Sequence, residues 1–123
     1  MIEYENLQKT NIIFLKKFKN SYKNFCKDGN YILSNNVNKF EKKFAAYIGK
    51  KYCIGVGNGM DALTISLKSL NLPPNSEIII ASNAYIASIL SAINANLKPI
   101  LVEPDIQTYN LDYRCISKNI TKK

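Results

Sequence analysis

The stretch Ile54-Gly55-Val56-Gly57-Asn58-Gly59-Met60-Asp61 gathers residue types that can hold an anion. Positions 55, 57 and 59 take three of the chain's 5 glycines. A glycine-rich turn at a helix start offers unengaged backbone N–H groups, and the helix dipole adds positive potential there. The same glycines would equally serve a tight turn that binds nothing. The spacing is not G-x-G-x-x-G, since the third glycine is missing, and it is not a Walker A motif, since no Lys-Ser/Thr follows Gly59. The local pattern leaves phosphate binding and a structural turn both open.

Absent residue types narrow the remaining chemistry. The chain has 0 histidines, which excludes Ser-His-Asp and Cys-His mechanisms and imidazole metal sites within these residues. Its 3 cysteines, Cys26, Cys53 and Cys115, are odd in number and lack C-x-x-C spacing. That argues against a disulfide framework and a zinc site and fits a reducing compartment, so no metal ligands are expected. The net charge of +8 raises the question of nucleic acid. The lysines, however, cluster at 16–27 and 39–51 among apolar residues at helical spacing, and Arg114 is the single arginine. Solvated helix faces explain this charge better than a nucleic-acid surface, and an attraction for acidic small molecules such as nucleotide diphosphates is compatible with it. The opening MIEYENLQKTN carries acids and lacks the apolar region of a signal peptide. No apolar run approaches the roughly 20 residues that span a bilayer. A cytoplasmic protein with neither membrane nor nucleic-acid partner is expected.

The elements that would position the glycine turn follow from hydrophobic periodicity. At 46% hydrophobic and 21% charged, the composition is that of a globular chain long enough for one core. Leu7, Ile12, Phe14, Leu15, Phe18, Tyr22 and Phe25 make much of 7–26 an amphipathic helix, stopped by Asp28-Gly29-Asn30. A short extended piece, YILSNN, follows. Val37, Phe40, Phe44, Ala45 and Ile48 form a second helical face, with Asn35 or Asn36 as cap and Gly49 as terminator. Residues 52–56 read as a strand, 60–70 as a helix, 77–81 as a buried strand, 85–95 as a helix and 98–104 as holding a third strand. This alternation predicts a parallel βαβαβ unit after an α-rich arm, with the glycine turn at the sheet edge where such folds bind ligands.

Two blocks carry a resemblance to a known family. GNYILSNNVNKFEKKFAAYIGKKYCIGVGNGMDALTISLKSL is similar to the opening block of the nucleotide-sugar aminotransferases of the DegT/DnrJ/StrS type, which use pyridoxal 5′-phosphate. EIIIASNAYIASILSAINANLKPILVEPDIQTYNLD resembles their second block. The likeness runs from Gly29 to Asp112 in order and spacing. It implies the N-terminal part of an aspartate-aminotransferase-like (fold type I) large domain. Residues 1–50 would be a helical arm, and 51–123 the first part of the cofactor-binding domain. It further implies that Asn58, Gly59 and Met60 hold the cofactor phosphate through backbone N–H groups, and that Tyr85 stacks on the pyridine ring. Asp61 could lie close to the phosphate, though an aspartate there already suits the helix dipole. Asn83 and Ser88 are outer candidates. Tyr31 resembles a segment near a homodimer interface, with no role assigned.

The family's chemistry needs a lysine that bonds the cofactor as a Schiff base and an acid beside the pyridine nitrogen. Both lie beyond the second block in the family. Lys50, Lys51 and Lys68 match no catalytic position, and Asp105 and Asp112 resemble structural ones, so no catalytic residue is assigned here. The resemblance implies a portion of an enzyme that moves an amino group, from glutamate as the expected donor, to a nucleotide-linked keto-sugar. The wording of VEPDIQTYNLD favours dTDP-3-keto-6-deoxyhexoses, with 4-keto-sugars open. These 123 residues alone are expected to be inactive. A stand-alone phosphate- or nucleotide-binding α/β module without catalysis is the alternative.

Overall fold

The computed structural model describes residues 4–121. The chain divides into two compact units, Met1–Gly55 and Val56–Lys123.

The first unit is helical. Helix α1, Leu7–Asn11, is capped by Asn6, whose Oδ1 accepts the Lys9 N–H at 2.9 Å. It tightens into a 3₁₀ turn, Ile12–Phe14, before helix α2, Leu15–Asp28. The expected single helix is therefore interrupted where two consecutive β-branched isoleucines crowd the preceding turn. Gly29 ends α2 at φ 64°, in the left-handed region. Here the Tyr31 hydroxyl donates to the Cys26 carbonyl at 3.2 Å and the rings of Phe25 and Tyr31 meet edge-on at 5.0 Å. The expected extended piece at 31–36 is replaced by a bend with Leu33 at φ 47°. Helix α3, Asn35–Tyr47, is capped by Ser34, not by Asn35 or Asn36. The Ser34 Oγ accepts the Asn36 N–H at 3.3 Å, and Ser34 has the extended backbone of a cap residue, while Asn35 and Asn36 are already inside the helix.

Residues 52–56, expected to be a strand, are not one. A strand is defined by a ladder, and the described residues provide no partner for this segment. The Gly55 N–H instead donates to Glu41 Oε1, on α3, at 2.7 Å. The βαβαβ expectation thus reduces to one βαβ unit preceded by a helix.

The second unit holds that βαβ. Helix α4, Gly59–Ser69, ends at a turn with Asn71 and Asn75 at positive φ, conformations that asparagine tolerates. Strand β1, Glu77–Ala81, helix α5, Ile86–Asn94, and strand β2, Lys98–Val102, follow. The strands pair in parallel from Glu77↔Lys98 to Ala81↔Val102. Ile80, Ala92 and Leu97 form the buried core, with Leu67, Ile78 and Ile89 packed against it. Helix α5 packs on the sheet and against α4. Helix α6, Tyr113–Asn119, closes the unit. Because the strands are parallel, the connections after Ala81 and Val102 leave from one edge of the sheet. The chain reverses between α4 and β1, so the first turn of α4 faces that same edge.

Candidate functional site

The first turn of α4 is built by a reciprocal pair. Asn58 stands before it in extended conformation, and its Oδ1 accepts the Asp61 N–H at 2.9 Å. Its Nδ2 donates to Asp61 Oδ2, also at 2.9 Å. These two bonds fix the orientation of the amide and turn the Asp61 carboxylate toward the cap. Gly57 completes the arrangement: a Cβ there would stand 3.0 Å from Asp61 Oδ2, tight enough that the carboxylate would have to shift by a few tenths of an ångström.

The Ala62 N–H is taken by the Asn58 carbonyl at 3.1 Å. The N–H groups of Gly59 and Met60 have no acceptor among the described residues. In front of Gly59 lies open space, with nothing within 4 Å of an added Cβ. Two unengaged donors at the positive end of an 11-residue helix, beside a residue without a side chain, fit a phosphate in donor type and in room.

Tyr85 immediately precedes α5. Its carbonyl accepts the Ser88 N–H at 2.9 Å, while the residue is 80% exposed. An exposed ring at a helix start is free to present a π-face to a flat heteroaromatic. The Ser88 carbonyl accepts the Oγ of buried Ser91 at 2.8 Å, so Ser88 is tied into α5 through its backbone. Asn83 lies in the turn between β1 and Tyr85. Its Nδ2 donates to the Tyr109 carbonyl at 3.1 Å. Lys68 is exposed on α4, and Arg114 is held by Asp112 at 2.8 Å. No cluster that could hold a metal ion occurs among the described residues.

The structure thus places Asn58, Gly59 and Met60 at the start of α4, Asn83 and Tyr85 in the β1–α5 connection, and Ser88 in the first turn of α5. The two groups sit at the starts of helices that pack together. Two features had no local signal in the sequence. One is the role of Asp61 as the partner of Asn58. The other is a closed loop after β2. Pro104 bridges to Leu111, the Asp105 N–H donates to the Asn110 carbonyl at 2.9 Å, and the Tyr109 N–H donates to the Asp105 carbonyl at 2.8 Å.

The Asp105 carboxylate holds the inside of this loop. It accepts the N–H groups of Thr108 at 2.8 Å and Gln107 at 3.0 Å, and these bonds hold its carboxyl below the usual aspartate range. A lowered folded value means the contribution is present at neutral pH and is lost only as pH falls through that lowered value. The amide resonances of Thr108 and Gln107 are therefore expected to stay native through the pH at which a free aspartate titrates, and to move only in stronger acid. Titration at the ordinary aspartate pH would show that these bonds do not persist in solution.

Comparison with known proteins adds to this geometry. The sequence profile of the DegT/DnrJ/EryC1/StrS aminotransferase family matches residues 14–123. The whole chain is similar, at 46% identity, to 34% of the dTDP-3-amino-3,6-dideoxy-alpha-D-galactopyranose transaminase of Aneurinibacillus thermoaerophilus. The X-ray structure of DesV from S. venezuelae matches with a TM-score of 0.91 at 30% identity, over 98% of this chain and 33% of that one. NtdA of Bacillus subtilis, solved with bound cofactor PMP, matches with a TM-score of 0.83 at 28% identity, over 88% of this chain and 25% of that one. The chain spans about a third of the length of the transaminase and of DesV.

Proposed function

Since the chain belongs to the DegT/DnrJ/EryC1/StrS aminotransferase family, we propose that its residues form the phosphate-holding and ring-facing part of a pyridoxal 5′-phosphate site. The enzyme would move an amino group from an amino acid, glutamate, to C3 of a dTDP-linked 3-keto-6-deoxyhexose. One observation carries the choice of sugar: the 46% identity, along the entire chain, to a transaminase named for a dTDP-linked 3-amino-3,6-dideoxyhexose. The family resemblance also supports a homodimer acting in the cytoplasm. Among the described residues no helix is long and apolar enough to cross a membrane.

When bound, pyridoxal 5′-phosphate supplies the electron sink for moving the amino group. The residues of this chain do the holding. Gly59 and Met60 donate backbone N–H groups to the phosphate, and Asn58 keeps the helix start rigid. Tyr85 offers its ring face to the cofactor ring and shields that face from water. None of the lysines here is assigned a proton-transfer role.

The test uses the chain itself and a chimera in which it replaces the matching third of the Aneurinibacillus enzyme. Both are given pyridoxal 5′-phosphate, glutamate and dTDP-3-keto-6-deoxyhexose. The chimera is expected to form the 3-amino sugar, read by mass spectrometry. A chimera that binds cofactor but transfers nothing to the 3-keto sugar would overturn the substrate assignment. Cofactor binding by the chain without transfer in either protein would favour a binding module.

A further inference from the structure

The connections that leave β1 and β2 at the ligand-facing edge are joined by one side chain. The β1 connection begins with the Ser82 N–H donating to the Val102 carbonyl at 2.8 Å, which carries the ladder one step past the strands. It then turns, with the Ala84 N–H on the Ala81 carbonyl at 3.0 Å, and delivers Tyr85 to the start of α5. The β2 connection closes on itself as the 104–111 loop. Its Tyr109 sits at φ 58°, a left-handed conformation unusual for a bulky residue. That conformation is set inside the loop by the bond from the Tyr109 N–H to the Asp105 carbonyl. The loop is therefore folded without help from the β1 connection. The β1 connection, by contrast, is a four-residue turn with an exposed ring at its end. The bond from Asn83 Nδ2 to the Tyr109 carbonyl, spanning 26 residues, ties the turn to the preformed loop.

We infer that Asn83 is a positioning residue for Tyr85: by anchoring the β1–α5 turn to the 104–111 loop, it restricts the directions in which the Tyr85 ring can face a bound heteroaromatic ring. This rests on the reading of Tyr85 as the ring-facing residue. The physical reason is entropic. An untethered turn samples more backbone states, and a ring carried on it must be ordered when the ligand binds. The tether orders the turn beforehand. The effect belongs to the ring of the ligand and not to its phosphate, because the phosphate donors lie on α4.

The experiment measures the affinity of the full chain for two probes, pyridoxal 5′-phosphate by equilibrium dialysis and inorganic phosphate by the amide shifts of Gly59 and Met60. The variants are Asn83→Ala, Asn83→Asp and Tyr85→Ala, with the double variant Asn83→Ala/Tyr85→Ala. Asn83→Asp keeps the shape and removes the donor. Losing one solvent-accessible hydrogen bond is expected to weaken pyridoxal 5′-phosphate by about three- to tenfold in each Asn83 variant. Inorganic phosphate should bind all variants as it binds the parent, which also shows that they are folded. In the Tyr85→Ala background, Asn83→Ala should have no further effect. If Tyr85→Ala weakens the cofactor while neither Asn83 variant does, the inference is overturned and the ring assignment stands. An Asn83 effect that persists undiminished without the Tyr85 ring overturns it as well. If Tyr85→Ala leaves the cofactor affinity untouched, the ring assignment itself is wrong and the inference falls with it.

Discussion

Replacing Ile80 by alanine is expected to lower the stability of the second unit by about 2–4 kcal/mol and its melting temperature by about 10 °C. Ile80 is 8% exposed and occupies the penultimate position of β1, opposite Leu101 in the ladder. Around it stand Ala92, Leu97, Leu67, Ile78 and Ile89. Little can move into the space left behind. Ala92 is fully buried and has no rotamer to change, and the parallel register holds the neighbouring strand in place. Most of the volume therefore stays as a cavity, which sets the cost in the middle of the observed range for such truncations. Ile80→Val, which removes one methylene, should cost about 1 kcal/mol. Urea unfolding of the chain measures both. A loss below 1 kcal/mol for Ile80→Ala would mean that the core around Ala92 repacks or is not formed in solution.

Gly59→Pro separates the helix from its anion-binding capacity. Proline suits the first position of a helix, where its missing N–H would bond to nothing within the helix. The preceding Asn58 has φ −162° and ψ 175°, the extended backbone that a following proline requires. An added side chain at 59 meets nothing within 4 Å. Helix stability should thus be kept, or rise by about 0.5 kcal/mol through a less flexible unfolded chain. The donor is nonetheless gone, and a hydrogen bond to a charged group is worth about 1.5–3 kcal/mol. Affinity for pyridoxal 5′-phosphate is expected to fall by about 10- to 100-fold. Gly59→Ala keeps the N–H and should bind like the parent. Isothermal titration of the three proteins decides the matter. Equal affinity of the proline variant would remove Gly59 from the phosphate site.

Much of the second unit was legible because its signals are local. The run Ile78-Ile79-Ile80 marks β1 to the residue, and the glycine–asparagine turn marks the start of α4 within one position. Gly29 and Gly49 end α2 and α3 as expected, both at positive φ. What the pattern could not carry was pairing. Ile54 and Val56 have the composition of a strand, yet strand formation needs a neighbour, and the Gly55 donor goes to the Glu41 carboxylate. The cap of α3 moved to Ser34 because three consecutive residues, Ser34, Asn35 and Asn36, can all cap, and only geometry selects among them. At the candidate site, residue types and spacing pointed to Asn58 as a helix-start residue. They gave no sign that Asp61 answers it with a second bond, or that Asn83 reaches a carbonyl 26 residues away.

The ladder between β1 and β2 has a constant offset. Glu77 pairs with Lys98 and Ala81 with Val102, so every rung joins residues 21 apart (98 − 77 and 102 − 81). In an antiparallel hairpin each new rung encloses a longer loop than the last. Here every rung encloses the same one, and its closure entropy is incurred once. Nine residues of that loop are helix α5, which shortens the distance to be closed once it forms. Once one rung has formed, the remaining rungs add no further entropic cost of closure. Helix α5 meets the strands at Ala92, which is buried with Ile80 of β1 and Leu97 in one core.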